Sequence, residues 1–266
     1  MILSIIFACQ PDSTVYVNPV VEPIQPVVRY EPPPLPKEGV VLSEMKSMDA
    51  CLDSVPSCEC LDLEFEQCYP QFVSEAKNLP HLMQEAMMGV TWEEGCPIPL
   101  EDLRLVRVLH WTENEQIQWG DMVVTERVVS DIQKLFKGLY QLRFPIHSLK
   151  PAHIYNGSDE QSMADNNTSV FNCRKVRGTS NWSEHSYGES IDINPLWNPW
   201  VKGAKVLPQN AERFVNREMV ISGMINEGDA TIEVFTQNGW MWGSQKKGIK
   251  DYQHFSRMDH TEIYAP

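Results

Sequence analysis

The sequence predicts an α+β domain, a small antiparallel sheet with helices on one side. Two apolar runs, residues 103–109 (LRLVRVL) and 117–124 (IQWGDMVV), have the composition of strands. A helix is predicted directly after the second strand, because apolar residues recur there with the period of one helix face. These residues are Val128, Val129, Ile132, Leu135, Phe136, Leu139 and Tyr140.

The other elements follow in chain order. Residues 72–88 carry some helical signal. Thr125 is a candidate N-cap for the long helix, and Gly138 is a weak point near its end. Residues 149–155 are predicted to form a strand, and the polar residues 156–167 a loop or a short helix.

Composition divides the chain into four parts. Residues 1–9 resemble a signal, and residues 10–40 form a Pro-rich tether with seven prolines between Pro19 and Pro36. Residues 41–96 form a Cys-rich acidic segment, and residues 97–266 the globular domain. Residues 1–96 hold 15 acidic and 4 basic side chains, whereas residues 97–266 hold 21 and 18. No basic stripe is present, so nucleic-acid binding has no electrostatic support.

The apolar N-terminus indicates export. Ile6-Phe7-Ala8-Cys9 is similar to the lipobox of bacterial lipoproteins, although no basic residues precede it. Cys9 is therefore the candidate lipid-carrying residue, and the protein is expected in the cell envelope, anchored to a membrane and facing the periplasm or exterior. Six cysteines then remain, an even number that favours three disulfides, whose pairing the sequence does not choose.

Two sequence elements carry residue types typical of a metal site. His185 and Asp192 lie seven residues apart, with Gly188 between them where the chain can turn. Asp251 and His254 form the second element. Two imidazoles and one carboxylate are a typical ligand set of a catalytic zinc ion, which leaves one position open for water. Zinc lowers the pKa of that bound water to ~7. Asp251 is the candidate base that takes the water proton to the leaving amine.

Spacing alone leaves other interpretations open. His185 could be a loop imidazole, Asp192 a turn or cap acid, and His254 a histidine of the core with its hydrogen bonds satisfied. Ser183 beside His185 would suggest a serine hydrolase, but the sequence contains no Gly-x-Ser-x-Gly elbow. Cys173 could be a nucleophile, but a disulfide or a buried thiol is the plainer interpretation.

Several ordered motifs are shared with one known family. They are residues 168–174 (TSVFNCR), S-x-H-x-x-G-x-S-x-D at 183–192, Asn194-Pro195, G-W-x-W-G at 239–243 and D-x-x-H at 251–254. Over about residues 100–260 the chain thus resembles the VanY-type zinc D-alanyl-D-alanine carboxypeptidases. It is still more similar to the L-alanyl-D-glutamate endopeptidases of phage endolysins. Ser190 stands where that family usually has Ala.

The resemblance implies the roles of individual residues. His185, Asp192 and His254 are the implied zinc ligands, in a cleft across the sheet, and Asp251 the implied general base. Arg174 matches the family arginine, expected to hold a substrate carboxylate or the oxyanion. Arg177 is the alternative arginine. Trp240 and Trp242 are candidates for the cleft wall and equally for the core.

The implied function is hydrolysis of peptide bonds in the stem peptides of peptidoglycan by a monomeric zinc peptidase. Whether it trims terminal D-Ala or cuts inside the stem stays open. The alternative of another class is a zinc-bearing module that binds the cell wall or a protein without catalysis. The presence of Asp251 argues against this alternative, since loss of the base would mark such a module.

Overall fold

The computed structural model describes residues 58–60, 68–219, 221–245 and 248–259, with side chains from residue 71 onward. All of these residues lie within one compact unit, Pro32–Pro266. The predicted signal at residues 1–9 and the predicted tether at residues 10–40 lie outside the described residues.

Short strands outnumber helices in the described residues. The strands are β1 (Cys58–Cys60), β2 (Cys68–Pro70), β3 (Ser74–Asn78), β4 (Leu103–Trp111), β5 (Ile117–Thr125), β6 (Ser148–Leu149), β7 (Asn167–Thr168), β8 (Ser190–Asp192), β9 (Trp200–Lys202), β10 (Lys205–Leu207), β11 (Trp240–Trp242), β12 (Lys250–Asp251) and β13 (His254–Arg257). The α-helices are α1 (His81–Met87), α2 (Val129–Gln141), α3 (Asp159–Ala164) and α4 (Ala230–Gln237).

The strands form several small sheets, which confirms the α+β class. Three sheets have three strands each, in the orders β3-β4-β5, β11-β13-β8 and β10-β9-β12. Every pair within these three sheets is antiparallel. The pair β6-β7 is parallel, and β1 pairs antiparallel with β2. The fold thus divides its strands among several sheets, where the sequence predicted one.

The β4–β5 hairpin confirms both predicted strands of the N-terminal sheet and extends them. Its register runs from Leu103 opposite Thr125 to Trp111 opposite Ile117. Strand β3 pairs with the other edge of β4, and α1 follows β3 directly. Residues 74–78 therefore add a third strand to the sheet of the β4–β5 hairpin.

Helix α2 confirms the predicted long helix and its apolar face. Ile132, Leu135 and Phe136 are among its fully buried side chains. Thr125 does not cap this helix: it is extended and precedes a 3-10 turn, Glu126–Val128, and the N-cap position of α2 is Val128. A Cβ added at Gly138 would lie 2.7 Å from a methyl carbon of Val234 on α4. Gly138 therefore permits the close approach of the two helices.

The strand predicted over residues 149–155 is wrong for most of its length. Only Ser148–Leu149 is extended, and Ala152–Tyr155 forms a 3-10 turn. Pro151, which lacks a backbone N–H, occupies the N-cap of that turn. The short helix predicted as one option for residues 156–167 is α3, whose N-cap residue Ser158 accepts a hydrogen bond from the backbone N–H of Gln161.

One main hydrophobic core joins the hairpin, the two longer helices and the β11-β13-β8 sheet. It includes Val106 and Val124 of the hairpin, Phe136 of α2, Phe235 of α4 and Phe255 of β13. The rings of Phe235 and Phe255 stack with their centroids 3.8 Å apart. The β11-β13-β8 sheet is therefore backed on one side by the largest apolar cluster of the described part of the chain.

A disulfide joins two distant segments. Cys96 and Cys173 are bonded across 77 residues of sequence, with their Cα atoms 6.1 Å apart. This bond is one of the disulfides that the even cysteine count predicted. The side chains of the other cysteines lie outside the described residues.

Among the described helices, none is both long and apolar enough to cross a membrane.

We expect His110 to make the stability of the fold pH-dependent. His110 of β4 is 4% exposed, and burial lowers its pKa from 6.5 to about 4. Between these two values the unfolded chain binds a proton that the folded chain excludes, so stability falls as the pH drops below about 6.5. This group alone should lower the free energy of unfolding by about 2 kcal/mol between pH 7 and pH 5.

Urea unfolding of the wild type and of His110→Gln at both pH values measures this share. The variant, whose neutral amide does not titrate, should lose it. His81→Gln on α1 is the control, because the side chain of His81 is 81% exposed. An unchanged pH dependence in His110→Gln would contradict the prediction.

Candidate metal centre

Two of the predicted ligands lie on neighbouring strands. In the antiparallel pair β8–β13, His254 is directly opposite Asp192, and Phe255 is opposite Ile191. Because side chains alternate along a strand, Ile191 and Phe255 enter the core while Asp192 and His254 share the other face. The Nδ1 atom of His254 lies 2.9 Å from the Oδ1 atom of Asp192. Strand pairing therefore brings together residues that are 62 positions apart in sequence.

His185 comes from a 3-10 turn, Glu184–Tyr187, that precedes β8. Ser183 is the N-cap of this turn, and its hydroxyl accepts the backbone N–H of His185. Gly188 ends the turn with a φ of 65°, a conformation that favours glycine. A Cβ at Gly188 would also lie 2.7 Å from the backbone nitrogen of Thr125. The turn thus packs against β5 and directs His185 Nε2 to 3.2 Å from Asp192 Oδ2.

The three residues can hold one metal ion. Each offers a ligand atom within 4.8 Å of the ligand atoms of the other two. His185 and His254 are buried, and the side chain of Asp192 is 15% exposed. A hydrogen bond fixes the His185 ring, whose Nδ1 lies 2.6 Å from the carbonyl oxygen of Val170. With the proton on Nδ1, the lone pair of Nε2 faces Asp192. Two imidazoles and a carboxylate in this arrangement fit a zinc ion with a further position open.

The electrostatics of the site also favour a cation. Burial would lower the pKa of His254, but its hydrogen bonds to Asp192 and Glu184 and the charge of Asp251 raise it above the ordinary value. Burial would likewise raise the pKa of Asp192, but the two histidines hold it well below its usual range. Three carboxylates thus create a negative potential that stabilises positive charge, whether a proton or a divalent ion.

Asp251, the predicted base, lies at the end of β12 beside His254. Tyr252 and Gln253 form the bend that separates it from β13. Gly243 lies against both: a Cβ added there would be 3.0 Å from Asp251 Cβ and 3.2 Å from His254 Cβ. The second glycine of the G-W-x-W-G motif therefore provides room for the ligand and the candidate base. Asp251 is near the three ligands without belonging to their group.

Arg174 lies next to the His185 turn through its main chain. Its backbone N–H donates to the Ser186 hydroxyl at 3.0 Å, and its carbonyl oxygen accepts the backbone N–H of Ser183 at 3.0 Å. Its guanidinium forms an ion pair with Asp159 of α3. Contact with substrate thus stays a prediction for Arg174. Arg177 lies in an exposed stretch.

Trp240 and Trp242 belong to the core. Trp240 is fully buried, Trp242 is 4% exposed, and both are members of the main cluster. The Nε1 atom of Trp242 donates to the carbonyl oxygen of Tyr252 at 2.9 Å. The Trp242 indole therefore holds the bend that follows Asp251, and both indoles pack in the core.

Two contacts of the site were not predicted from the sequence. The carboxylate of Glu184 lies 2.7 Å from His254 Nε2, and the carbonyl oxygen of Val170 bonds to His185 Nδ1. Glu184 directly precedes the candidate ligand His185, and Val170 falls in the 168–174 motif. Neither position predicts which histidine the residue contacts. Glu184 and His254 are 70 residues apart, so only tertiary pairing reveals this contact.

We expect two buried serines near the site to affect stability in opposite directions. Ser190 and Ser186 are both fully buried. The hydroxyl of Ser190 has no hydrogen-bond partner among the described residues, whereas that of Ser186 accepts from Arg174 N and donates to Arg174 O. Ser190→Ala should raise the free energy of unfolding by about 1 kcal/mol, because it removes an unpaired polar group.

Ser186→Ala should lower the same quantity by about 1–2 kcal/mol, because it leaves both backbone groups of Arg174 without this partner. Urea unfolding with an unchanged denaturant slope measures both values. Destabilisation by Ser190→Ala would show that its hydroxyl makes a stabilising contact and would contradict the prediction.

Comparisons with known proteins bear on the same stretch of chain. Residues 177–257 match the family model described as D-alanyl-D-alanine carboxypeptidase. The match includes the three candidate ligands and Asp251 and begins after Arg174. No curated protein and no solved structure gives a significant match. The match confirms, over residues 177–257, the resemblance carried by the sequence motifs.

Proposed function

We propose that the protein is a zinc-dependent peptidase that hydrolyses peptide bonds in the stem peptides of peptidoglycan. The family match supports a peptidase. The observation that carries the zinc proposal is the convergence of His185, Asp192 and His254, with one ligand atom from each within 4.8 Å of the others. The donor set, its burial and its negative potential all suit Zn²⁺.

The residues of the chain divide the work of hydrolysis. His185, Asp192 and His254 hold the ion, which when bound supplies a Lewis acid that activates water at neutral pH. Asp251, beside His254, takes the proton from the attacking water and delivers it to the amine of the departing peptide. A Cβ at position 243 would lie 3.0 Å from Asp251 Cβ and 3.2 Å from His254 Cβ, so a larger residue there would crowd both the base and the ligand.

Arg174 is the proposed binder of a substrate carboxylate or of the oxyanion. The ion pair with Asp159 engages its Nε side. The terminal amino groups of the guanidinium are the part that would donate hydrogen bonds to a carboxylate in a two-point contact. Stem peptides carry free carboxylates, so a single arginine at the edge of the site suits this class of substrate.

Two tests decide between a peptidase and a zinc-bearing module without catalysis. The purified chain is incubated with defined muropeptides, and mass spectrometry identifies the products. We expect cleavage that a chelator abolishes and that added zinc restores. Asp251→Asn should keep about one zinc per chain but slow cleavage at least about 100-fold, because it removes only the proton acceptor. His185→Ala should lose the metal as well as the activity.

Asp102→Asn is the matched control, since Asp102 is exposed on a 3-10 turn away from the ligand strands. Product masses distinguish removal of a terminal D-Ala from a cut within the stem. Bound zinc without cleavage of any muropeptide would favour the binding module. Wild-type chain that neither binds zinc nor cleaves would contradict the proposal as a whole.

We also propose that the peptidase works in the cell envelope, anchored through Cys9. The support is the Ile6-Phe7-Ala8-Cys9 motif and the Pro-rich residues that follow it. In a bacterial host, Cys9→Ser should abolish labelling by a fatty-acid probe and move the protein out of the membrane fraction. Cys51→Ser, which also replaces one cysteine by serine, is the control. Membrane association that survives Cys9→Ser would contradict the anchor.

A further inference from the structure

Each candidate histidine ligand has one ring nitrogen directed towards Asp192 and the other bonded outside the ligand group. For His185 the outer partner is a backbone carbonyl, that of Val170, at 2.6 Å from Nδ1. For His254 it is a side chain: the Oε2 atom of Glu184 lies 2.7 Å from Nε2. The sequence motif and the general scheme of ligands and base do not account for this carboxylate.

We propose that Glu184 is a positioning residue that holds the proton of His254 on Nε2 and so presents the lone pair of Nδ1 to the metal ion. The inference rests on the proposed zinc function. A neutral imidazole carries a proton on one nitrogen only, and the hydrogen bond at the other nitrogen selects which one. Glu184 accepts the hydrogen bond from Nε2. The lone pair of Nδ1, which is 2.9 Å from Asp192 Oδ1, is therefore left to ligate the metal ion.

The place of Glu184 in the fold suits this role. It occupies the first position of the 3-10 turn that carries His185, and the turn is fixed by the Ser183 cap and by Gly188. The carboxylate therefore links the turn of one ligand to the strand of the other. The side chain of His254 is 9% exposed, so little water competes for its Nε2 proton, whereas that of Glu184 is 35% exposed.

The same geometry separates Glu184 from the two other roles that a carboxylate could have. As a zinc ligand or as the base, it would have to lie on the Nδ1 side of the ring, where Asp192 lies. It is instead bonded to Nε2, on a different edge of the imidazole. A carboxylate that orients a metal-bound histidine is a recurring device, and its removal typically weakens metal binding about 10–100-fold.

The test compares Glu184→Ala and Glu184→Gln in the full chain, with Glu160→Ala as the control. Glu160 is an exposed residue of α3, so the control makes the same change of charge away from the ligands. Zinc affinity is measured by competition with a chromophoric chelator, and Co²⁺ replaces zinc for visible absorption spectra. Glu184→Ala should weaken zinc binding about 10–100-fold and alter the Co²⁺ spectrum. Glu184→Gln, whose amide oxygen accepts the same hydrogen bond, should stay within a few fold of wild type.

Nitrogen-15 NMR of the zinc-loaded wild type provides a readout that needs no variant at position 184. The proton of His254 should be found on Nε2, and a proton on Nδ1 would overturn the proposal. Equal zinc affinity in Glu184→Ala and wild type would also overturn it, as would a loss in Glu184→Gln as large as that in Glu184→Ala. The latter result would indicate a ligand or charge role in place of orientation.

His185→Ala separates this inference from the proposed function. If the wild type binds about one zinc and His185→Ala does not, the metal centre stands whatever the Glu184 variants show. If the wild type and His185→Ala bind zinc equally, the metal centre itself fails, and the role of Glu184 fails with it.

Discussion

The register between β8 and β13 is the constraint on which the rest of the candidate metal centre depends. A slip by one residue would exchange the two faces of a strand. Asp192 would then turn into the core, and Ile191, which is fully buried, would face the site. The stacking of Phe255 on Phe235 disfavours the same slip from β13. The hydrophobic core on one face of the sheet therefore specifies the pairing of the two candidate ligands on the other face.

The elements around this pair fix the remaining side chains by backbone hydrogen bonds. The backbone groups of Ser169 and Asp192 exchange two hydrogen bonds, which places Ser169 at the edge of β8 that faces away from β13. The segment 168–174 also supplies the carbonyl of Val170 to the His185 ring and the N–H of Asn172 to the His185 carbonyl. Beyond β8, Asn194 adopts a φ of 43° and ties Pro145 and Gly223 to the strand end. The ligands thus depend on segments remote in sequence.

Local sequence predicted what is determined locally. The two strands of the β4–β5 hairpin are rich in apolar residues and are buried over most of their length. Helix α2 has apolar residues at the helical period, and this period matches its buried face. The strand predicted over residues 149–155 was wrong beyond Leu149, because Pro151 stands at the N-cap of a 3-10 turn that an apolar run does not reveal. Thr125 was wrong as a cap because a 3-10 turn intervenes before the helix.

The sequence motifs predicted the candidate metal ligands and the candidate base, but not the residues that contact them. The grouping of His185, Asp192 and His254 was predicted, and Asp251 lies beside them. The outer partners were not predictable in the same way, because Val170 acts through its carbonyl and Glu184 through a contact 70 residues away. The ion pair of Arg174 with Asp159 was not predicted either, because Asp159 lies on α3 and the sequence predicted either a loop or a short helix there.

The Cys96–Cys173 disulfide has a topological consequence for the metal centre. It closes a covalent ring that contains the β4–β5 hairpin and α2, and the ring ends one residue before Arg174. A single proteolytic cut anywhere between residues 96 and 173 opens the ring but leaves the two fragments joined. The strand-like segment that holds the His185 ring would therefore stay tethered to residues 91–96, where Thr91 accepts the N–H of Cys173. Such a ring keeps a chain that is cut once within it in one covalently joined piece.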